Sequence, residues 1–213
     1  MSRLDNLLHK CPFFYGWVIV GCLMAANFSR QGAAVATLSV FVVPMSQEFG
    51  WSMTEFSGAV SLGGVLGALI SPKVGVLVDR GGVGKVLTIG PLLIGVSLLA
   101  LSQTSSLIWF YISFCLGRMV FAGPFEIAIT SAVANWFIQL RGRAMSFAAL
   151  AHSIGLTVLP IVAFFAISQW DWRVGWIAIA IIVLLVGVVP NIFFMIQRPE
   201  DVGLSPYTNS GGT

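Results

Sequence analysis

Residues 15–43 read YGWVIVGCLMAANFSRQGAAVATLSVFVV, a run in which Arg30 is the only charged side chain. A helix needs only about 20 apolar residues to cross the hydrocarbon core of a bilayer, which is about 30 Å thick. A transmembrane β-strand is about ten residues long and alternates apolar with polar side chains, which this stretch does not do. The stretch therefore predicts a membrane-spanning helix with one charge inside it.

The composition of the whole chain agrees with this stretch. Of its 213 residues, 57% are hydrophobic and 9% are charged, whereas soluble domains average about 25% charged residues. This balance argues against a water-soluble enzyme, a disordered protein and a disulfide-stapled module. The lysines and arginines are spread singly, so nucleic acid is not expected as a partner. The cysteines have no metal-ligand spacing, and no metal or other cofactor is expected.

Five further apolar runs follow the first, separated by polar or charged turns. The six predicted helices cover residues 15–43, 56–78, 86–102, 107–136, 144–168 and 174–196. All of them reach the length needed to cross a bilayer except the third, which is marginally short. Residues 15–196 are therefore predicted to form one all-α transmembrane bundle. It lies between an N-terminal segment, 1–14, and residues 197–213, which are a cytoplasmic tail or the start of a linker.

The positions of the basic residues predict the orientation of the bundle. Most of them lie in the N-terminal segment, the second and fourth connections and the tail: Arg3, Lys10, Arg80, Lys85, Arg141, Arg143 and Arg198. The intervening connections contain only Arg173. Because cytoplasmic loops are enriched in lysine and arginine, both termini are predicted to be cytoplasmic, in a multi-pass protein of the cell (inner) membrane.

The bundle is also predicted to contain an internal repeat. The first and fourth spans each carry an arginine near the middle, Arg30 and Arg118. The third and sixth spans carry no charge, as is typical of lipid-facing helices. The second and fifth carry small residues at four-residue spacing, which are expected to serve helix packing. Three helices per unit require the second unit to be inverted, so we predict a 3+3 inverted repeat.

The second connection carries the most specific motif of the chain, Gly75-Val-Leu-Val-Asp79-Arg80-Gly-Gly82-Val-Gly-Lys85. It resembles the signature loop between helices two and three of the major facilitator superfamily, a loop that ends in a basic pair. The resemblance implies a gating role for Gly75, Asp79, Arg80, Gly82 and Lys85. Asp79 could accept from the N-terminus of a neighbouring helix, while Arg80 and Lys85 would face anionic lipid or a partner helix. Gly84 stands where the first basic residue is usual, which leaves Lys85 alone.

Other segments fit the same assignment. Residues 135–144 resemble the superfamily's connection between helices four and five, and Arg118 resembles the arginine of its fourth-helix motif. Residues 14–17, 49–52 and 198–203 resemble the oxalate/formate antiporter and monocarboxylate transporter branch. The resemblance covers nearly the whole chain, but only as the N-terminal half of a twelve-helix protein. It therefore implies a second six-helix half or a homodimer partner.

Arg30 leads to the first group of candidate site residues. A charge at the bilayer centre costs several kcal/mol unless it faces a partner or a wet cavity. The spacing i, i+3, i+4, i+7 predicts one shared helical face for Asn27, Arg30, Gln31 and Ala34. A guanidinium can bind a carboxylate through two parallel hydrogen bonds, so Asn27, Arg30 and Gln31 are predicted to contact substrate. The alternative for Arg30 is an ion pair with an acidic residue on another helix.

The second group lies on the fourth and fifth spans. The resemblance places helices one and four around a central cavity, so Arg118, with Tyr111 two turns earlier, would complete a site for an anion. The alternative for Arg118 is a packing and coupling role. Glu126 could carry a coupling proton, or form an ion pair nearer the cytoplasmic end. His152 could shuttle a proton, or be a hydrogen-bonded packing residue.

These features predict secondary transport of a small, carboxylate-like organic anion by alternating access. The partners would be the lipid bilayer, the anion with a proton or counter-anion, and a second half. The alternative is a truncated or accessory six-helix membrane protein without transport activity. An intramembrane hydrolase is not expected, because no serine lies in a Gly-x-Ser-Gly elbow and the only histidines are His9 and His152.

Overall fold

The computed structural model describes residues 14–196 and 198–202, and this part of the chain is folded into helices. The predicted N-terminal segment, apart from Phe14, and residues 197 and 203–213 of the predicted tail lie outside the described residues. Five helices in the described part are long and apolar enough to cross a membrane: Gly16–Phe49, Met53–Ser102, Leu107–Trp136, Arg141–Gln169 and Trp172–Phe194.

Most of these long helices contain a break, and their segments are labelled separately. In chain order the elements are α1 (Gly16–Arg30), a 3₁₀ turn (Gln31–Ala33), α2 (Val35–Phe49), α3 (Met53–Leu77), a π-helical turn (Val78–Gly82), α4 (Val83–Ser102), α5 (Leu107–Phe121), α6 (Pro124–Trp136), α7 (Arg141–Gln169), α8 (Trp172–Val183), a π-helical turn (Leu184–Val188), α9 (Val189–Phe194) and a 3₁₀ turn (Pro199–Val202).

The first break follows Arg30. Helix α1 ends there, and the backbone at Ala34 is extended, with ψ at 154°. The carbonyl of Gln31 accepts the Ala34 N–H at 3.1 Å and the Thr37 hydroxyl at 2.7 Å, which satisfies it at the break. The predicted helical face therefore extends from Asn27 to Gln31 but not to Ala34, and that part of the prediction is wrong.

The second break lies inside the signature loop. It separates α3 from α4, which together with the break form a helical stretch of 50 residues. A straight helix of that length would measure about 75 Å, more than twice the thickness of the hydrocarbon core. Gly81 adopts φ 91°, a left-handed conformation that glycine reaches without steric cost. Gly82 is required for a different reason, since a Cβ atom there would lie 2.7 Å from the Leu77 carbonyl oxygen.

The small-residue positions of the second and fifth spans are packing surfaces, as predicted. Helix α3 packs on α5, and α7 packs on α1. A Cβ atom at Gly63 would lie 2.7 Å from the Cβ of Arg118, and one at Gly155 would lie 2.7 Å from the Cγ of Gln31. These glycines let the helix backbones approach closely, and they thereby position two of the candidate site residues.

The first and last described helices meet at one end of the bundle, which we call the basic end because it contains Lys85, Arg141 and Arg143. The Tyr15 hydroxyl donates to the Phe194 carbonyl at 2.9 Å, and Lys85 and Met195 line one cavity. At the other end, which we call the acidic end, Glu48 at the end of α2 pairs with Arg173 at the start of α8. Glu55 and Asp171 also lie at the acidic end, in the first turn of α3 and at the N-cap of α8.

Candidate functional site

The central feature of the bundle is an ion pair between α1 and α6. Arg30, the last residue of α1, donates through Nη1 to Oε2 of Glu126 at 2.8 Å. The Arg30 side chain is 10% exposed, whereas that of Glu126 is 62% exposed. Glu126 lies in the first turn of α6, where the helix dipole favours a negative charge. The structure thus shows the alternative considered for Arg30, an ion pair with an acidic residue on another helix.

Arg118 lies beside this pair, in the last turn of α5. Its Cζ is 4.4 Å from the centre of the Phe121 ring, and the Cζ of Arg30 is 4.9 Å from the same ring. Within the described residues Arg118 makes no hydrogen bond or ion pair, and its Nε and Nη1 are buried without a partner. Arg30 Nε is also buried without a partner. We call Arg30, Arg118, Glu126 and Phe121 the cluster. It therefore holds two guanidinium groups and only one carboxylate.

Polar side chains tie the cluster to α7. Asn27 donates through Nδ2 to the Ala148 carbonyl at 2.7 Å. Gln31 Nε2 lies 3.2 Å from the Asn27 carbonyl and 2.9 Å from Nδ1 of His152. The amide oxygens of Asn27 and Gln31 are buried and receive no hydrogen bond within the described residues. In this structure Asn27 and Gln31 join α1 to α7, and each keeps one free acceptor.

His152 lies on α7 and contacts Gln31, which follows Arg30 in the chain. Its contact with Gln31 agrees with the alternative of a hydrogen-bonded packing histidine. The imidazole is partly exposed. Its place beside the cluster therefore fits the packing role and leaves a proton-transfer role open to test.

Tyr111 is not brought to the arginines. Its hydroxyl donates to the Glu55 carbonyl at 2.8 Å, in the first turn of α3. A residue two turns before Arg118 lies about 10 Å from it along the helix, towards the acidic end. The structure therefore separates Tyr111 from Arg118, although the two residues share a face of α5.

The charged residues of the signature loop lie apart from the cluster, at the basic end. Asp79, Arg80 and Lys85 are exposed, and in the described part of the chain they make no hydrogen bond or ion pair. Gly75 likewise has open space beside it. The expected contact of Asp79 with a helix N-terminus is thus not made by any described helix.

Phe121 is the member of the cluster that the sequence reasoning missed. It follows Arg118 by three positions, so the two side chains share a helical face, and its ring is the surface that both guanidinium groups contact. An aromatic residue one turn from a mid-membrane arginine is the signal that could have identified it.

The exposed surface around the cluster is of two kinds. Small and polar residues form exposed stripes on α6 and α7: Glu126, Thr130 and Ala134, and Ser146, Ala149, Ser153 and Thr157. A similar stripe on α3 contains Ser57, Ser61 and Ala68. Bulky apolar residues form a separate stripe on α7, with Phe147, Leu150, Ile154, Val158, Ile161 and Phe165. The bulky stripe suits lipid, whereas the small polar stripes suit water or a packed helix.

A cofactor site is not apparent in the described residues, in which no three His, Cys, Asp or Glu side chains are grouped to hold a metal ion. The arrangement can instead attract and hold an anion by charge and hydrogen bonds. Long apolar helices around an interior charged cluster define a multi-pass membrane protein of the kind that moves polar solutes.

Comparison with known proteins identifies the family. Residues 17–210 match the sequence model of the Major Facilitator Superfamily. The chain belongs to the major facilitator superfamily, a family of transporters and not of enzymes. This confirms the prediction made from the signature loop, whereas the assignment to the oxalate/formate and monocarboxylate branch stays a prediction.

A curated relative is the "Probable anion transporter 3, chloroplastic" of Oryza sativa subsp. japonica. The two sequences are 26% identical over 178 residues, a region that covers 76% of this chain and 34% of the relative. The matched region thus spans about a third of the length of that relative.

Proposed function

We propose that this protein carries small organic anions with a carboxylate group, as a secondary transporter that works by alternating access. The observation that carries the proposal is Arg118, whose Nε and Nη1 are buried without an acceptor in the described residues, beside Arg30 on the same phenyl ring. The printed name of the rice relative, an anion transporter, supports the same class of substrate.

The charge balance of the cluster favours an anion. Two arginines face one carboxylate, and buried donors without acceptors cost about 1–3 kcal/mol each, more when the group is charged. A carboxylate bound by Arg118 would supply the missing acceptors and neutralise the excess charge. Guanidinium groups bind carboxylates through two parallel hydrogen bonds, which favours a substrate of this class.

Arg30 could couple the binding of the anion to the transfer of a proton or of a counter-anion. A substrate carboxylate that approaches Arg118 would compete with Glu126 for Arg30, because both need the same guanidinium group. The Glu126 side chain is 62% exposed, so its carboxylate can take a proton once Arg30 no longer binds it. His152, which contacts Gln31 beside the pair, is the second candidate for proton transfer. A proton symporter and an anion exchanger are both compatible with this competition.

Two observations support six crossings rather than five. The two ends of the described bundle meet, since Tyr15 bonds to the Phe194 carbonyl, and an even number of crossings is needed for that. The break at Gly81 divides the 50-residue helical stretch into two segments that can each cross a bilayer. The spans would then be α1–α2, α3, α4, α5–α6, α7 and α8–α9.

The inverted repeat is supported by the two arginine-bearing spans. Helices α1 and α5 are each 15 residues long, and each ends at or just after its arginine. A break and a second helix, α2 or α6, follow in both. We therefore propose that α1–α4 and α5–α9 are the two halves of a 3+3 repeat, with Arg30 and Arg118 at equivalent positions.

The exposed small stripes of α3 and α7 support a partner bundle. Asp79 and Arg80 are charged, exposed and without partners among the described residues, so a second six-helix half or a homodimer partner could supply their contacts. We place the basic end in the cytoplasm, with the protein in the cell (inner) membrane, because lysine and arginine are enriched on the cytoplasmic side.

Uptake into proteoliposomes tests the proposal. Labelled oxalate, formate and lactate would be offered to vesicles that contain the wild type, Arg118→Ala or the control Arg143→Ala, which removes an exposed arginine at the basic end. We expect uptake by the wild type and the control and its loss in Arg118→Ala. Equal uptake by all three would exclude the site. Absence of uptake in all three, with no dimer or second half on purification, would favour the alternative of an accessory protein without transport activity.

A further inference from the structure

We propose that the protein has a specific binding site for an anionic phospholipid at the basic end, centred on Lys85. Two adjoining cavities carry the proposal, an open mouth between α4 and α9 and an apolar groove between α3, α4 and α5. Neither cavity takes part in the anion site proposed above, and the lipid proposal shares with the proposed function only the placement of the basic end in the cytoplasm.

The mouth has a volume of about 460 Å³ and is lined by Gly84, Lys85, Thr88, Ile89, Asn191, Ile192 and Met195. Lys85 is exposed, and in the part of the chain that the structure describes it has no acidic partner or hydrogen bond. A lysine ammonium group there can donate three hydrogen bonds to a phosphate. The mouth thus offers one cation at the end of a membrane helix, in a lining that mixes polar and apolar side chains.

The groove has a volume of about 160 Å³ and lies on the other side of Lys85. Its lining is otherwise apolar: Ile70, Val74, Leu77, Val86, Ile89, Gly90, Leu93, Met119 and Val120. Lys85 and Ile89 line both cavities. A molecule with an anionic head and a hydrocarbon chain can therefore place its head in the mouth and part of one chain in the groove.

The position of Lys85 on α4 supports a lipid as the occupant. Ile89, Leu92 and Val96 continue the exposed face of α4 from Lys85, as is expected for a helix that faces hydrocarbon. Lysine at the end of such a face extends its ammonium group to the headgroup layer. Basic pockets between transmembrane helices on the cytoplasmic side are sites at which anionic headgroups bind.

Gly84 distinguishes this lipid site from the corresponding region of the usual superfamily loop. A basic side chain is usual at its position in the superfamily loop, whereas glycine leaves the mouth open. A Cβ atom at Gly84 would meet only Met195 Cγ, at 3.7 Å, which is ordinary van der Waals contact. A larger side chain can therefore be accommodated by the fold while it fills the space for a headgroup.

Native mass spectrometry of the purified full chain tests the site. After delipidation the protein is titrated with phosphatidylglycerol or with phosphatidylcholine of the same acyl chains. We expect one phosphatidylglycerol to bind at least about fivefold more tightly, which corresponds to about 1 kcal/mol for one basic residue near an anionic surface. Equal binding of the two lipids would overturn the proposal.

Four variants locate the site. Lys85→Ala and Gly84→Leu should each abolish the preference for phosphatidylglycerol, whereas Lys85→Arg should keep it. The matched control is Lys73→Ala, because Lys73 is an exposed lysine of α3 that lines neither cavity. Retention of the preference in Lys85→Ala, or an equal loss in Lys73→Ala, would contradict the assignment. Inorganic phosphate should not displace the lipid, and full displacement by phosphate would indicate a free-anion site instead.

Discussion

Two clusters of charged residues in this protein differ in how many of their charged groups have hydrogen-bond partners. At the acidic end, Arg173 binds both carboxylate oxygens of Glu48, at 2.7 and 3.0 Å, and stacks 4.1 Å from the Trp172 ring. The Trp172 indole also donates to Glu48, at 2.6 Å. In the centre of the bundle, Arg118 has an aromatic contact but no acceptor in the described residues.

We interpret the difference as one between a structural cluster at the acidic end and the proposed anion site in the centre. In the salt bridge, both terminal nitrogens of Arg173 and both carboxylate oxygens of Glu48 already have partners, so the pair has little need of a ligand. A buried donor without an acceptor destabilises the protein on its own, and a bound anion is the partner that we propose for Arg118. The following predictions separate the two clusters, from the largest expected effect to the smallest.

Replacement of Arg30 should have the largest effect. Arg30→Ala removes one guanidinium from the site and leaves Glu126 without its partner, so we expect uptake of a labelled carboxylate to fall by about 100-fold or more. Proteoliposome counterflow measures this, with circular dichroism to show that the variant is folded. The matched Arg173→Ala variant should keep its uptake, and equal losses in the two variants would remove the distinction between the clusters.

Glu126→Gln should separate binding from coupling. The variant removes the carboxylate that competes for Arg30, so we expect anion exchange across the membrane to persist. Uptake driven by a proton gradient should fall by about tenfold or more, because the neutral amide cannot cycle a proton. The control is Glu55→Gln, at the acidic end. Gradient-driven uptake that stays normal in Glu126→Gln would assign coupling to another group, with His152→Gln as the next variant to measure.

Gly155→Ala should destabilise the protein by about 1–3 kcal/mol, the usual cost of overpacking. The added methyl group would lie 2.7 Å from Gln31 Cγ and 2.8 Å from the Phe28 carbonyl oxygen, and the latter is backbone that cannot turn away. Thermal unfolding in detergent measures the change. Gly142→Ala is the control on the same helix, since a Cβ atom there meets open space. An unchanged melting temperature for Gly155→Ala would show that α1 and α7 are not packed this closely.

Arg173→Ala should have the smallest effect. Its salt bridge is more than a third exposed, and exposed pairs contribute about 0–1 kcal/mol. We expect a small decrease of the melting temperature in detergent and a smaller one in high salt, because salt screens exposed charges. A loss of stability larger than that of Gly155→Ala would mean that this contact carries more of the fold than its exposure indicates.

The all-α membrane class, and the presence of an arginine inside each of two apolar helices, could be predicted because they depend on local sequence. Apolar length identifies membrane helices without knowledge of their neighbours, and a charge inside such a run is visible directly. The signature loop likewise indicated a turn, although the left-handed residue is Gly81, while its neighbour Gly82 is needed for close packing on Leu77.

The contacts within the site could not be predicted, because they join distant parts of the chain. Arg30 and Glu126 are 96 positions apart, and no local pattern selects Glu126 from the other acidic residues. The break after Arg30 depends on Thr37, whose hydroxyl satisfies the Gln31 carbonyl. Tyr111 shares a helical face with Arg118, but the face does not reveal that Tyr111 meets the first turn of α3.

Direct binding of a carboxylate to the purified protein tests the central claim, that Arg118 is unpaired because it awaits an anion. Isothermal titration of oxalate into the wild type, Arg118→Gln and Arg173→Gln would measure it in detergent, without dependence on transport. The account predicts binding by the wild type and by Arg173→Gln, and a loss of about tenfold or more in affinity for Arg118→Gln. Oxalate affinity that is the same in Arg118→Gln and the wild type would contradict it.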